Sequence, residues 1–468
     1  MGMGQLTLLL HARRRVRARL WLACIQFLTW SLPCAASGVD AESYDQLHQR
    51  AVAAKLTGKA QTVTGVVEPA ALGFTLMHEH LFVNFLPEAL WPAKGSETSP
   101  ALYRRMQQVG WSIPVTAAEI EFFNRRPLTL DMIDKMRQGW RARVNLSIEE
   151  EGEVADEITS FRERGGRTVV DVTPQGLGRD VQRLRAFSRR HGIQVIAGTG
   201  WYRWPFHEPA VAATSVDDLA MQMAREVLIG IDGTEIRAGI VGEIPLDSRS
   251  IAVPPEGEAR LTNEAVSAHV RAAETRFDRI KVDERSRVPL EGVYAAEEIK
   301  VLRAAARASR LTGAALSLHA REPWLGYLPL ILAEGVPVSR VIVGHAHPHF
   351  IDRELLERSL QAGVVLEADY LLQFYASSAP LGPIEQILDG IAWAIKNGHR
   401  DQVLLSLDLC YKVGQERYGG GGYATLHKYV FPRLRQRGVS DADLQHVMVE
   451  NPKRLLSFVE PGRVRRER

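Results

Sequence analysis

The chain has 468 residues, of which 46% are hydrophobic and 24% charged, and its formal net charge is +3. That balance is the one of a soluble globular protein with a large core, and the charge is too small to argue for nucleic acid as a partner. Much of the positive excess is terminal, in Arg13, Arg14, Arg15, Arg17 and Arg19 and in Arg463, Arg465, Arg466 and Arg468, so 461–468 reads as a solvated basic tail.

Residues 1–37 have the order of a secretory signal peptide: arginines, then the apolar run 20–32, then small residues from Cys34 to Gly38. The run is short for a bilayer span, so no stable membrane anchor is expected. The arginine pairs leave general secretion and twin-arginine export both open. Either route predicts an exported protein, periplasmic or secreted. Cleavage near Ala36 or Ser37 removes Cys24 and Cys34, leaving Cys410 with no partner for an internal disulfide.

A lead-in at 38–60 holds a helix-compatible stretch, 42–56. The catalytic body, 61–460, then opens on an alternating strand at 61–68. The run 74–80 follows, Phe-Thr-Leu-Met-His-Glu-His. Side chains at i and i+2 leave a strand on the same side, so His78 and His80 project together while Glu79 points away. Alone, such a pair is equally two ordinary histidines at a sheet edge.

Residues 87–146 are helical in pattern, broken by prolines and rich in tryptophan, and read as an insertion covering the site mouth. Beyond them the rhythm is regular. Helices are predicted at 148–164, 179–191, 216–229, 295–312, 324–334, 353–362 and 384–397. Strands are predicted at 168–173, 194–199, 236–244, 315–319, 340–345, 364–368 and 402–408. With 74–80 this makes eight strands separated by helices, which predicts an α/β protein with a (β/α)8 TIM barrel. Insertions follow strands 1 and 4, the second being a loop or lid at 246–289.

Sites in such barrels are built at the carboxyl ends of the strands. His78 and His80 fall there on strand one, Glu243 on four, His319 on five, His345 on six and Asp408 on eight. Four imidazoles and two carboxylates suffice for two divalent transition-metal ions with positions open to substrate. Zinc is the first expectation, and manganese, cobalt or iron would fit the same donors.

With these residues in place the chain resembles the phosphotriesterase family of the amidohydrolase superfamily, and more closely its phosphotriesterase-related branch. The resemblance runs over about 61–458. It rests on Gly73-Phe-Thr-Leu-Met-His-Glu-His80, Val170-Asp-Val-Thr173 with Gly178-Arg-Asp180, Gly198-Thr-Gly-Trp-Tyr202, Gly239-Ile-Val-Gly-Glu-Ile244, Ser317-Leu-His319, Val343-Gly-His345, Ser406-Leu-Asp408, Tyr418-Gly-Gly-Gly-Gly-Tyr423 and Glu450-Asn-Pro452. It implies that His78, His80 and Asp408 hold one metal, that His319 and His345 hold the other, and that Glu243 bridges them. The well-known phosphotriesterases carry a carbamylated lysine at the bridge. The glutamate here, as in the related branch, has the same charge on a shorter arm.

The resemblance implies hydrolysis by a metal-bridging hydroxide of a small-molecule substrate: a carboxylic ester, a lactone or an N-acyl amide. Phosphotriester hydrolysis is the first alternative, and a metal-binding protein without turnover is the alternative of another class. Asp408 would be both ligand and proton carrier. Tyr202 looks like the tyrosine that polarises a carbonyl in lactonase relatives, and reads equally as a plain rim aromatic. His207, His347 and His349 are placed at the pocket mouth, not among the ligands. The Tyr418 to Tyr423 run lacks the lysine and hydroxyl of a phosphate loop and reads as a mobile substrate loop. Asn145-Leu-Ser147 is a glycosylation sequon, Cys410 reads as a small buried residue, and a homodimer is left open.

Overall fold

Short runs of valine, isoleucine and leucine form the strands, because both faces of each strand are covered and no polar alternation is needed. The computed structural model describes residues 43–85, 117–137, 140–203, 206, 209–246, 296–321, 324–372 and 384–464. The signal peptide with its cleavage point, the lid beyond Leu246, the first part of the 87–146 insertion and His207 lie outside the described residues.

Eight strands form one parallel sheet: β1 Phe74–Glu79, β2 Gly166–Asp171, β3 Gln194–Thr199, β4 Ile240–Leu246, β5 Leu316–Ala320, β6 Val341–Gly344, β7 Val365–Ala368 and β8 Val403–Leu405. They pair in sequence order from β1 to β8. Between them lie α1 Glu151–Glu163, α2 Val181–His191, α3 Val216–Leu228, α4 Ala296–Thr312, α5 Leu328–Ala333, α6 Arg353–Ala362 and α7 Ile384–Ala394. This is the TIM barrel expected. Asp180, Ser215 and Asp352 cap α2, α3 and α6 by accepting a backbone N–H of the first turn.

Two apolar layers follow from the period of two. Met77, Val170, Ile196, Ile240, Ala315, Ile342, Val365 and Leu404 fill the lumen, with Leu455 and Leu456 in the same cluster. Their neighbours Leu76, Val169, Val195, Val241, Leu316, Val343, Leu366 and Leu405 pack in the larger cluster that includes the helices. The lead-in contributes a helix, Tyr44–Ala54, whose Tyr44 hydroxyl donates to Asp217 of α3 at 2.8 Å, and a hairpin, Ala60–Thr62 with Gly65–Val67.

No ladder joins β8 to β1, and the seam is made largely by side chains. Asp408 N–H donates to the His78 carbonyl at 3.1 Å, and His78 N–H donates to Ser406 Oγ at 2.9 Å. The Glu79 carboxylate accepts the Ser406 hydroxyl at 2.7 Å and the N–H groups of Leu407 and Leu409 at 2.9 and 3.0 Å. β8 stops at Leu405 and not at 408 as predicted: Ser406 N–H still reaches the Ala368 carbonyl of β7 at 3.0 Å, but the N–H groups of Leu407 and Leu409 turn to the Glu79 side chain. The sixth strand likewise ends at Gly344, the expected helix 384–397 ends at Ala394, and 324–334 opens as a tight turn, Trp324–Tyr327.

The described part of the 87–146 insertion, with helices Ala117–Asn124 and Leu130–Arg137, forms its own apolar cluster of Phe122, Leu128, Met132, Ile133 and Met136. Val413 joins that cluster and Tyr411 packs on it, so the insertion sits on the loop that follows β8.

Candidate metal centre

Three local departures from regular geometry turn ligand-type side chains inward. In β1 the register to β2 slips between Leu76 and Glu79. Met77 faces the lumen, and the slip lets His78 and His80 face it too while Glu79 points to the seam. In β4 the register to β5 slips between Val241 and Ile244, and Glu243 gains the lumen face that strict alternation from Ile240 would deny it. His345 and Asp408, just past the ends of β6 and β8, have φ of +57° and +49°, a left-handed conformation that costs a non-glycine residue energy and clusters at functional sites. Gly344 is required by space: a Cβ there would lie 2.6 Å from the Leu318 carbonyl and 3.1 Å from His78 Cε1.

The six side chains predicted as ligands converge and are all buried. His319 Nδ1 lies 2.8 Å from Glu243 Oε2 and 2.8 Å from His345 Nε2. His78 Nε2 is 3.3 Å from Glu243 Oε2, and His80 Nε2 is 3.7 Å from Glu243 Oε1 and 3.4 Å from Asp408 Oδ1. Among the described residues three metal-capable groups result, His78 with Glu243 and His345, His78 with His80 and Asp408, and His78 with Glu367 and Asp369.

Outer residues set the tautomers. The Thr173 hydroxyl donates to the Phe82 carbonyl at 3.4 Å, so its oxygen accepts His80 Nδ1–H at 2.9 Å and turns Nε2 toward Asp408. His345 Nδ1–H donates to Asp369 at 2.9 Å, and its Nε2 therefore also faces inward. His78 Nδ1 faces Asp369 at 3.2 Å and Glu367 at 3.5 Å, which directs its Nε2 to Glu243. Neither ring nitrogen of His78 nor either oxygen of Glu367 has a hydrogen-bond partner, although both residues are fully buried. Polar groups left so in a closed cavity fit a site completed by a cation.

The electrostatics point the same way. Burial opposes ionisation of Glu243, yet His319 and His78 outweigh it and hold its carboxyl well below the usual range. Burial would lower His78, but Asp369, Glu243 and Glu367 raise it well above an ordinary histidine. His80 is raised against burial by Asp408 and Glu243. Burial raises Glu367, whereas Asp369 is lowered against burial by His345 and His78. His78 and His80 thus hold a proton more firmly than an ordinary histidine in the metal-free cavity, where an ion would have to displace it, while burial lowers His345.

Tyr202 is buried beside this group, its ring 5.3 Å from that of His319. Burial raises its hydroxyl well above the normal value, so it stays a donor. His347 stacks on Tyr370 at 4.9 Å, and burial and His345 push it down to about 3. His349 does not line the mouth. It is a core histidine, accepting Trp324 Nε1–H at 2.9 Å and pairing with Ser359 at 3.0 Å. The Tyr418 to Tyr423 run is pinned to α1: Tyr423 is buried, its N–H donates to Glu157 at 3.2 Å, and the Tyr418 hydroxyl donates to Glu153 at 2.8 Å. Asn145 of the sequon is buried and accepts Val413 N–H at 2.8 Å, out of reach of a glycosyl donor. Cys410 is buried, and burial together with Asp408 pushes its thiol well up.

Glu367, Asp369 and Thr173 escaped sequence reasoning. A signal for the first two exists: acids at i and i+2 closing an apolar parallel strand, the spacing that drew attention to His78 and His80.

Similarity to known proteins agrees with this geometry. The sequence profile of the phosphotriesterase family matches residues 58–275 and 289–456. The N-acetyltaurine hydrolase of Dictyostelium discoideum is 27% identical over 413 residues, covering 86% of this chain and 99% of that protein. The crystal structure of a resiniferatoxin-binding protein from Rhodobacter sphaeroides superposes with a TM-score of 0.67 at 29% identity, over 86% of this chain and 95% of that one. A lactonase from Listeria monocytogenes, at 19% identity and a TM-score of 0.57 over 86% of this chain and 99% of its own, shares the fold. The chain belongs to the phosphotriesterase family.

Proposed function

We propose that the protein is an exported binuclear hydrolase of N-acyl amides or related esters and lactones. His78, His80 and Asp408 would hold one ion, His319 and His345 would hold the other, and the Glu243 carboxylate would be shared between them. The reading is carried by the inward convergence of the Nε2 atoms of His78, His80 and His345 on Glu243, in a cavity whose outer nitrogens are already engaged or faced by acids. Bound there, divalent ions, zinc foremost, supply Lewis acidity toward a scissile carbonyl and lower the pKa of water to near neutrality.

The chain's own residues do the rest. Asp408, at the end of the eighth strand and 3.4 Å from His80 Nε2, accepts the proton of the attacking water on a carboxylate oxygen and returns it to the departing amine or alkoxide. The buried Tyr202 hydroxyl, kept protonated, donates to the oxygen on which charge develops. The acyl-amide preference is supported by the N-acetyltaurine hydrolases, similar over nearly their whole length. Export is supported by the arginines, apolar run and small residues of 1–37, with an expected mature N-terminus near Gly38.

The test is metal analysis of purified protein followed by a screen against N-acyl amino acids and N-acyl amines, lactones and aryl phosphotriesters. About two ions per chain are expected, with fastest turnover on the acyl compounds. One ion or none in active protein would sink the binuclear reading, and a preference for phosphotriesters would sink the substrate reading.

A further inference from the structure

The two proposed ion sites are held by backbones of different quality. His319 and His345 stand on or just past β5 and β6, whose ladder is complete from Val341 opposite Leu316 to Gly344 opposite His319. Their separation is set by the sheet itself. His78, His80 and Asp408 come from β1 and the end of β8, the one neighbouring pair in the barrel with no ladder. A backbone bond, Asp408 N–H to the His78 carbonyl at 3.1 Å, ties Asp408 to one of the two histidines, and side chains must complete what a ladder does elsewhere.

We propose that Glu79 does this, as a positioning residue for one ion and not the other; the inference rests on the binuclear reading above. Glu79 lies between His78 and His80 in sequence, so its backbone moves with theirs. Its buried carboxylate reaches across the seam, Oε1 accepting Leu407 N–H at 2.9 Å and Oε2 accepting Leu409 N–H at 3.0 Å. Those are the two residues flanking Asp408, whose own left-handed φ of +49° needs its neighbours held. The same Oε1 accepts the Ser406 hydroxyl at 2.7 Å, and Ser406 Oγ in turn accepts His78 N–H. One carboxylate therefore fixes the chain on both sides of one ligand and ties it to the backbone of another. Every group that faces the two oxygens is a donor, and the Glu79 side chain offers each of them an acceptor. An amide cannot, because its NH2 would oppose one of the N–H groups, leaving a buried donor unmatched.

The test uses the full mature protein, stripped and titrated with cobalt(II), following its visible absorption and counting ions per chain. Wild type should take up two ions. Glu79→Gln should take up one with wild-type affinity and the other with affinity reduced about 10- to 100-fold, the usual effect of losing an outer partner of a ligand. A merely structural role would weaken both ions alike, together with the thermal stability of the metal-free protein, and would overturn the inference, as would two uptakes like those of wild type. Wild type binding fewer than two ions would instead overturn the binuclear reading, and the inference with it. Should Glu79→Gln not fold, Ser406→Ala removes the hydroxyl between Glu79 and His78. It must then weaken the same single ion, by a smaller factor, or the inference falls.

Discussion

Asp408 is proposed to combine two tasks that the histidines do not share, offering both a metal-binding oxygen and a place for the proton of the attacking water. Asp408→Asn keeps the size and one ligand oxygen while removing the charge. Turnover should fall by about 10² to 10⁴, the usual worth of a general acid or base. Metal content should fall far less than in His78→Ala, because His78, His80 and Glu243 remain. The loss should be largest on unactivated amides, which need a proton on the leaving nitrogen. Near-normal turnover on such an amide at full metal occupancy would move the proton to another group, and His349 is already taken by Trp324 and Ser359. Tyr202→Phe removes a donor that burial keeps protonated. The expected outcome is a kcat lower by about 10² with the alkaline limb of the pH profile unmoved, because the wild-type hydroxyl does not titrate there. A shifted limb would mean that Tyr202 ionises in the working range and is not a fixed donor.

At the level of elements, the strands were legible because a strand buried on both faces is an uninterrupted apolar run, and the side chains that converge in the barrel were legible because they fall near the ends of those runs. What local sequence could not reveal is where alternation slips. Nothing in Ile240-Val-Gly-Glu243 announces that the glutamate turns inward, since that depends on the register β4 adopts against β5. His347 and His349 look alike two residues apart, and only the packing of Trp324 separates a pocket histidine from a core one. The glycine-rich run after β8 read as mobile because the carboxylate that pins it, Glu157 on α1, is some 260 residues away. Glu157 accepts the N–H groups of Glu416 and Tyr423, and burial lifts its carboxyl to about 7 from an ordinary 4.5. A raised folded-state value means that the native protein binds more proton than the unfolded one between pH 4.5 and 7. Stability from this group is therefore full below about 4.5 and falls as pH rises through 7, by about 3 kcal/mol in all. Glu157→Gln should flatten the stability profile over that window, as measured by denaturant midpoints from pH 4.5 to 8. Parallel profiles for the two proteins would show that Glu157 does not titrate there.

His78 and Asp408, proposed to hold metal, also take part in the seam that closes the barrel between β8 and β1, so metal and global stability are coupled. Without ions, His78, His80, Glu243, Asp408, Glu367 and Asp369 share a buried cavity in which the neighbouring acids hold His78 and His80 above an ordinary histidine. An ion bound by the folded chain alone stabilises it by RT ln(1 + [L]/Kd), about 4 kcal/mol when free ion exceeds Kd a thousandfold. In a chain of this size each kcal/mol is worth on the order of 1–2 °C. Restoring two ions at that excess to stripped protein should therefore raise Tm by roughly 8–16 °C. The sign of the pH effect follows from the shifts. His78 and His80 sit above the ordinary 6.5 in the metal-free protein, so ions must displace their protons, and that competition eases as pH rises. The Tm increment at fixed free metal should accordingly be smaller at pH 6 than at pH 8. Calorimetry at both values, with and without chelator, decides the matter. An increment that is absent, or larger at pH 6, would mean that the cavity is held by its own proton network and that any bound ion lies outside the ligand set proposed.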